Sequence, residues 1–218
     1  MNWSKFFHQF SLESSGYVFM WLILFFLVIV FAIIVERWVY LWVRSNVNAP
    51  RFWAEIQKLV GKGDYQKAIA MCKSAGKKAL PQVMLKCLTV ADTAEAAGGA
   101  VVFRDIQDAV DEASLEIMPK LKVRTNWLSQ LGNIGTLTGL MGTIFGLIQS
   151  FEASGAAGGG ATALAAGISI AMFTTLWGLC VAIPALLSYT LIDNKTQAII
   201  DDVDEYSVKL INLLTGVH

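Results

Sequence analysis

Four hydroxyl residues repeat at intervals of seven within a stretch of the chain that carries no charge. They are Ser129, Thr136, Thr143 and Ser150. Seven residues are close to two turns of an α-helix, so these side chains lie near one another along one helix face. A single Thr in an apolar helix has little meaning, because its hydroxyl can bond a carbonyl of its own helix. Four in register predict a polar line facing a cavity, a partner or an ion pathway; ordinary hydrogen bonding between packed helices is the alternative.

Two more hydroxyls, those of Thr174 and Thr175, lie in the next uncharged stretch and differ by about 100° on an ideal helix. Thr175 belongs to a line of small residues completed by Ala171, Gly178, Ala182 and Ala185. No Asp, Glu, Lys or Arg occurs in 125–151 or 153–192. Because a proton path needs a titratable group or ordered water, ion transport here would require a carboxylate from another chain.

Glycines form a stripe on the helix that carries the four hydroxyls. The stripe consists of Gly132, Gly135, Gly139, Gly142 and Gly146. At 100° per residue these positions fall within about 80° of one another. Small residues let membrane helices approach closely, so the stripe predicts a helix-packing surface that joins this helix to another. Pro184, in the following apolar stretch, predicts a kink and belongs to the same packing set.

Other chemistry has no support in the sequence. The three Cys form no Cys-x-x-Cys pair, and the only two His lie near opposite termini, so no metal site is predicted. The glycines at 158–160 lack the Lys-Ser/Thr of a phosphate loop and predict a flexible turn. The acidic residues at 201–205 are typical of a solvated helix face. Without a Ser/His/Asp constellation or a cofactor motif, we expect neither an enzyme nor a bound cofactor.

Composition indicates an integral membrane protein. Hydrophobic residues make up 55% of the 218 residues and charged residues only 16%, whereas soluble domains carry about 25% charge. The 17 basic residues balance the 17 acidic ones, so no net positive field favours nucleic acid. Three apolar stretches are long enough to cross a bilayer, and helices satisfy their own backbone groups in lipid. The fold class predicted is an all-α protein with three transmembrane helices.

The basic residues also predict the orientation. Fourteen of the 17 lie between Arg37 and Arg124, and positive charge favours the cytoplasmic side. The N-terminus is therefore expected outside, in a multi-pass protein. The predicted segments are an outer N-terminal segment 1–16, transmembrane helix 17–38, cytoplasmic helical domain 39–124, transmembrane helix 125–151, outer loop 152–160, transmembrane helix 161–192 and cytoplasmic C-terminal helix 193–218.

The cytoplasmic domain is predicted to be helical. Pro50 and Pro81 occupy positions suited to helix starts, and Asp64 is a candidate N-cap. A turn is expected at Gly98-Gly99. From 101 onward an amphipathic helix is predicted, with apolar residues Ile106, Val110, Ala113, Ile117 and Leu121. No stop signal separates this helix from the second span, so Pro119 is expected to kink one long helix without ending it.

The apolar stretches resemble a known family. The segments LSQLGNIGTLTGLMGTIFGLIQSF at 128–151 and GISIAMFTTLWGLCVAIPAL at 167–186 are similar to the second and third spans of the MotA/TolQ/ExbB proton-channel family. Pro119 and the Asn-Trp-Leu at 126–128 also fit. Three spans and an outer N-terminus resemble the TolQ/ExbB branch more than four-span MotA.

The resemblance implies a bacterial inner-membrane motor driven by an ion gradient. Five copies would form a ring in the bilayer around two copies of a one-span partner resembling ExbD, TolR or MotB. An Asp in the partner's span would bind the ion, and the partner would perform work across the cell envelope. Carried onto this chain, Thr143 and Thr175 match the family's Thr positions in the second and third spans, and Pro184 matches its third-span Pro.

Two departures leave alternatives open. Many relatives have a Glu where this chain has Ile170. The loss of that Glu favours the alternative function, a non-conducting membrane scaffold of the same fold. Ile170 is about 140° from Thr175 on an ideal helix, so a site at Thr143 and Thr175 does not require that Glu. Many relatives also have Ala-Pro where this chain has Gly135-Thr136. The additional hydroxyls of Thr136 and Thr174 keep Na⁺ open beside H⁺ as the transported ion.

Overall fold

The computed structural model describes residues 17–44, 47–76, 78–96, 102–156 and 160–216, and no strand occurs in these ranges. The elements in chain order are α1 (Tyr17–Val39), a π-helical segment (Tyr40–Arg44), α2 (Ala49–Val60), α3 (Tyr65–Ser74), α4 (Ala79–Ala96), α5 (Phe103–Lys122), α6 (Thr125–Ala156) and α7 (Gly160–Thr215). Three helical stretches of the described chain are long and apolar enough to cross a membrane. The predicted all-α membrane fold is confirmed.

The chain divides into two compact units. What we call the membrane unit comprises the described residues of Met1–Glu36 and Arg124–Leu191, and the internal unit comprises those of Arg37–Val123 and Ile192–His218. The predicted outer segment 1–16 and the turn at Gly98-Gly99 lie outside the described residues.

In the membrane unit, α1 buries one face and exposes the other. Met20, Ile23 and Val30 are buried, at a spacing that places them on one side of the helix. The Phe19 ring lies 5.5 Å from that of Phe145 on α6, centroid to centroid. The opposite side exposes large apolar residues, among them Trp21, Phe25, Val28, Phe31 and Val35. A helix with apolar residues all round suits a lipid surrounding.

The internal unit has an aliphatic core supplied by one face of each helix. α4 packs against both α3 and α5. Its buried residues include Val83, Met84, Cys87 and Leu88. The buried face of α5 consists of Ile106, Ala109, Ala113, Ile117 and Leu121. The predicted amphipathic face is therefore present, except that Ala109 takes the buried position expected for Val110.

Two local predictions about helix starts differ from the structure. The carboxylate of Asp64 makes no capping hydrogen bond to the backbone of α3; it accepts a bond from Lys67 at 2.8 Å. α4 begins at Ala79, two residues before Pro81. A proline fits there because the first helical N–H groups have no partner within the helix.

The prediction of one continuous helix through Pro119 is wrong. Pro119 lies inside α5, but that helix ends at Lys122 and α6 begins at Thr125. Val123 is extended (ψ 135) and Arg124 has φ 64, the only positive φ at a described non-glycine residue. The break falls at the boundary between the two units. It was not predicted because Arg is an uncommon residue in this backbone region.

Two predicted boundaries of the spans also shift. α6 continues through Glu152 to Ala156, and Gly160 begins α7, so every described residue of the predicted loop 152–160 is helical. α7 runs from Gly160 to Thr215 with Pro184 inside it, so the predicted third span and C-terminal helix form one element. The remaining loop glycines at 158–159 lie outside the described residues.

Candidate functional site

The glycine stripe of α6 lies against α7 of the same chain. A Cβ added at Gly139 would lie 2.9 Å from the Thr174 carbonyl oxygen, and one added at Gly146 would lie 3.1 Å from the Ala171 Cβ. At Gly132 and Gly135 the nearest atoms belong to Ala185 and Val181, at 3.3 and 3.1 Å. The small residues thus let the two backbones approach within a distance that larger side chains would prevent.

The closest approach to backbone atoms in this contact joins glycines on both helices. A Cβ added at Gly178 of α7 would lie 2.7 Å from the carbonyl oxygen of Gly135 and 3.1 Å from the Cα of Gly139. These neighbours are backbone atoms, which cannot change rotamer to make room. The sequence had placed Gly178 in the small-residue line of the third span, and this contact explains why a glycine occupies that position.

Hydroxyls of α7 converge on one carbonyl of α6. The Thr174 hydroxyl lies 2.7 Å from the Ala171 carbonyl oxygen of its own helix and 3.2 Å from that of Gly139. The Thr175 hydroxyl lies 3.4 Å from the same Gly139 oxygen. Because Gly139 has no side chain, its carbonyl is accessible to both. We call Gly139, Thr143, Thr174 and Thr175 the hydroxyl cluster. Thr143 belongs to it because its backbone N–H lies four residues after Gly139 and so bonds the Gly139 carbonyl within α6.

The members of this cluster differ in burial. Thr174 is buried, with 1% of its surface exposed, so it lies in the helix contact and not on an open surface. Thr143 and Thr175 are half-buried. The Thr143 hydroxyl donates to the Leu140 carbonyl at 2.6 Å, which leaves its oxygen lone pairs available. Thr143 and Thr175 are therefore the cluster residues that present oxygen atoms outside the α6–α7 contact.

The four hydroxyls spaced by seven do not share one surface. Ser129 and Thr143 are half-buried and Thr136 is exposed, whereas Ser150 is buried. Ser150 donates to the Gly146 carbonyl at 2.5 Å and occupies the space that a Cβ at Gly167 of α7 would need. A seven-residue repeat drifts by about 20° per heptad on a straight helix, so the fourth member turns into the helix contact.

A groove lies along one face of α7 beside the hydroxyl cluster. Its volume is about 620 Å³. Its walls are mainly apolar, with Ile168, Met172, Phe173 and Leu176 among the lining residues. Ser169 and Thr175 supply hydroxyls to it. Ser169 was not among the predicted site residues, although its spacing of three and seven residues from Met172 and Leu176 places it on the same side of the helix as these two lining residues. A mainly apolar groove with two hydroxyls suits an apolar helix that carries one polar group.

An ion pair that the sequence analysis missed closes the membrane unit at one end. The Arg124 guanidinium lies 2.5 Å from a Glu36 carboxylate oxygen, although the two residues are 88 positions apart. Both side chains are about half exposed. Glu36 is the first charged residue after the first apolar stretch, and Arg124 is the last one before the second. That shared position at the ends of two spans was the available signal.

The described residues contain no arranged metal site, and two of the three cysteines are buried. No group of three or more His, Cys, Asp or Glu side chains there is arranged to hold a metal ion. Cys72 and Cys87 are buried in the internal unit, and burial raises the pKa of each thiol to about 12. A thiol with such a pKa is protonated at neutral pH and unreactive. On the acidic tail, burial is the first cause that raises the pKa of Asp202 and Asp204.

Comparison with known proteins identifies the family. A family model described as the MotA/TolQ/ExbB proton channel family matches residues 88–205, more than half of the chain. The chain belongs to the MotA/TolQ/ExbB family. The match begins within α4 and ends within α7, so it includes the hydroxyl cluster, the glycine stripe and the groove. A family of proton channels gives no support to an enzymatic function.

Relatives within the MotA/TolQ/ExbB family include transport and Tol-Pal proteins. Biopolymer transport protein exbB1 of Vibrio cholerae is 36% identical over 91 residues, which cover 39% of this chain and 38% of that protein. TolQ of Haemophilus influenzae is 29% identical over 114 residues, half of each chain. A putative ExbB-like protein of Synechocystis is 27% identical over 159 residues, 72% of this chain and 71% of that protein. The alignment with exbB1 thus spans less than half of that relative's length.

Proposed function

We propose that this protein is an ion-channel-forming motor subunit of the bacterial inner membrane. It uses the proton motive force, or a sodium gradient, to energise work across the cell envelope through a partner with one span. The observation that carries the proposal is the hydroxyl cluster, which lies within the stretch matched by the MotA/TolQ/ExbB model. Thr143 and Thr175 present oxygens beside the α6–α7 contact, where neighbouring glycines bring the two helices together.

The partner must supply the titratable group. The uncharged stretches 125–151 and 153–192 contain no carboxylate, and a proton path through lipid needs a titratable group or ordered water. We propose that an ExbD-, TolR- or MotB-like span places its Asp opposite Thr143 and Thr175. The apolar groove on α7 supports this, because its walls suit a helix and its two hydroxyls can solvate one polar side chain.

The assembly proposed is a ring of five copies around two copies of the partner, in the bilayer. The membrane unit would cross the membrane three times, with the N-terminus in the periplasm. The confinement of 14 of the 17 basic residues to the region between Arg37 and Arg124 supports this orientation. Within such a ring, Ser129 and Thr136 lie on the less buried surface of α6 and would line the pathway with Thr143. Ser150 and Thr174 are buried and would stabilise the helix pair.

The deciding experiment removes the two available hydroxyls. Val resembles Thr in shape but has no hydroxyl, so Thr143→Val with Thr175→Val keeps packing and removes two oxygens. Each lost contact is worth about 1 kcal/mol, so we expect about a tenfold or larger fall in ion flux through the complex reconstituted in liposomes. Thr190→Val is the matched control, because that exposed hydroxyl bonds only the Leu186 carbonyl of its own helix. Normal flux in the double variant, with an intact ring, would contradict the proposed role.

The same liposomes distinguish H⁺ from Na⁺. We propose H⁺ as the transported ion, in line with the description of the family. A proton gradient without Na⁺ should then drive flux, and a sodium gradient at equal pH on both sides should not. Flux driven by Na⁺ alone would instead assign the hydroxyl oxygens to a hard cation, whose preferred ligands are oxygens.

A non-conducting scaffold is the second candidate function. The observation that favours it is Ile170, a half-buried apolar residue at the position where the family resemblance places a Glu. A scaffold would assemble with its partner yet show no flux under either gradient. Flux in the wild-type complex excludes the scaffold, and Ile170→Glu should not be needed to obtain it.

A further inference from the structure

A groove in the internal unit is lined by α5 and by the C-terminal part of α7, away from the hydroxyl cluster. Its volume is about 300 Å³. Asp111 of α5 and Asp204 of α7 line it together with apolar residues, among them Phe103 and Val208. Phe103 is 47% exposed and Val208 is 57% exposed. The groove thus leaves large apolar side chains open to solvent beside two carboxylates.

Polar groups in the wall of this groove lack partners. Ser207 also lines it and is 2% exposed, yet none of the described residues forms a hydrogen bond with its hydroxyl. A buried hydroxyl without a partner is destabilising. Within the described ranges, neither Asp111 nor Asp204 forms an ion pair. Burial, followed by the charge of Asp201, raises the pKa of Asp204. An occupant with N–H donors and positive charge would satisfy these groups.

The turn between α2 and α3 of the same unit presents the opposite charge. Lys58, Lys62 and Lys67 are exposed around it, and we call the segment 58–67 the basic turn. Its three lysines outnumber its single acidic residue. Gly63 at the tip has φ 76, and a Cβ added there would meet no atom within 4 Å. The tip is therefore slender and open on its outer side, as insertion into a groove requires.

We infer that the basic turn of one copy of this chain docks in the α5–α7 groove of a second copy. The ammonium of Lys62 supplies the positive charge that Asp111 and Asp204 lack, and N–H groups of the turn are donors available to Ser207. Docking also removes the exposed apolar side chains of the groove from water. Opposite charges on the two surfaces fix the register of such a contact.

A second copy is the occupant because the complementary surface belongs to this chain. Groove and turn are different surfaces, so the contact is head-to-tail, and head-to-tail contacts between identical chains can close into a ring. The inference rests on the proposed assembly of copies in a ring, which would hold neighbouring chains side by side. It names one surface through which those copies meet.

Cross-linking between two forms of the full-length protein tests the contact. Both forms carry Cys180→Ser, which removes the exposed cysteine and leaves the buried Cys72 and Cys87. One form adds Val208→Cys in the groove, and the other, with a different tag, adds Lys62→Cys at the turn. The two are co-expressed, and membranes are treated with a short bismaleimide. We expect a cross-linked dimer that carries both tags, and at least fivefold less dimer from either form alone.

Lys73→Cys in place of Lys62→Cys is the matched control. Lys73 is an exposed lysine near the other end of α3, six residues beyond the basic turn and thus about 9 Å farther along the helix. It should cross-link to Val208→Cys at least fivefold more slowly than Lys62→Cys does.

Charge reversal distinguishes docking from chance proximity. Asp111→Lys with Asp204→Lys in the groove form should slow cross-linking about fivefold, because ion pairs are lost and like charges meet. Lys58→Glu with Lys67→Glu in the turn form should then restore the rate, since opposite charges again face each other on different copies. Damage to the fold of one chain could not be repaired by substitutions in another.

Cross-links between two groove cysteines, equal rates with Lys73→Cys, or no rescue by the reversed turn would each overturn the inference. A groove cysteine that cross-links only to a different protein would do so as well. Thermal unfolding checks that each form is folded. An intact ring with normal ion flux but no cross-link would overturn this contact alone, whereas the expected cross-links without flux would contradict the proposed transport function alone.

Discussion

The membrane unit and the internal unit are both built from helices, yet they pack them by different physical means. In the internal unit, α4 buries side chains such as Met84 and Leu88 completely, and removal of apolar surface from water stabilises the contact. In the membrane unit, α6 and α7 meet through residues with almost no side chain, and backbone atoms lie close to one another. Lipid is as apolar as a side chain, so close contact and not burial must stabilise that pair.

Truncation of a core side chain in the internal unit should have the largest effect, because the stability of that core depends on side chains that fill its volume. Leu88 is fully buried, so Leu88→Ala should lower the free energy of unfolding by about 2–5 kcal/mol through lost burial and the cavity left behind. Leu115→Ala is the control, since Leu115 is 79% exposed. Thermal or denaturant unfolding measures both. An equal effect of the two variants would mean that the internal unit does not rely on its core in this way.

In the membrane unit, the damaging change should be a larger side chain in place of a glycine at the α6–α7 contact. Gly178→Ala places a methyl group 2.7 Å from the Gly135 carbonyl oxygen, so we expect a loss of about 1–3 kcal/mol from overpacking. In Gly155→Ala the new methyl group meets no atom within 4 Å, and the higher helix propensity of Ala should stabilise it slightly. Unfolding of the purified protein in mild detergent compares them. The stability should fall in Gly178→Ala and rise slightly in Gly155→Ala. A change in the same direction in both variants would refute the close-contact explanation.

Loss of one hydroxyl between α6 and α7 should have a smaller effect. Thr174 donates within α7 and lies 3.2 Å from the Gly139 oxygen, so Thr174→Val should cost about 1 kcal/mol. Thr190→Val removes an exposed hydroxyl that bonds its own helix only and should be nearly neutral. If the two variants unfold alike, the hydroxyl contact adds nothing to the close approach of the glycines.

The smallest effect should come from the surface charges of the internal unit. The pKa of Glu116 is lowered from 4.5 to about 2 by Lys120 and Lys86. A lowered carboxyl pKa contributes stability that is fully present above about pH 4.5 and is lost as the pH falls toward 2. The difference in melting temperature between wild type and Glu116→Gln should therefore shrink from pH 6 to pH 3. Salt should reduce it too, because exposed pairs are screened.

Features that repeat along a helix were predicted from the sequence, whereas features that depend on a single residue were missed. The glycine stripe, the apolar stretches and the α5 face are periodic, and periodicity reports which side of a helix is buried. The end of α5 depends on one Arg124 in a left-handed conformation, paired with Glu36 far away in sequence. No local pattern contains that pairing. The burial of Ser150 was missed because the small drift of about 20° per heptad adds up over the three heptads from Ser129 to Ser150.

The contact of Gly178 with Gly135 and Gly139 has a consequence for how this protein can evolve. When two ordinary side chains clash, a second substitution that shortens the neighbour can restore the fit. Here the neighbours are already glycines, and the nearest atoms are a carbonyl oxygen and a Cα, so nothing remains to be shortened. Compensating substitutions for a larger residue at 178 would have to move α6 or α7 as a whole, and we expect suppressors of Gly178→Ala to map elsewhere along the two helices.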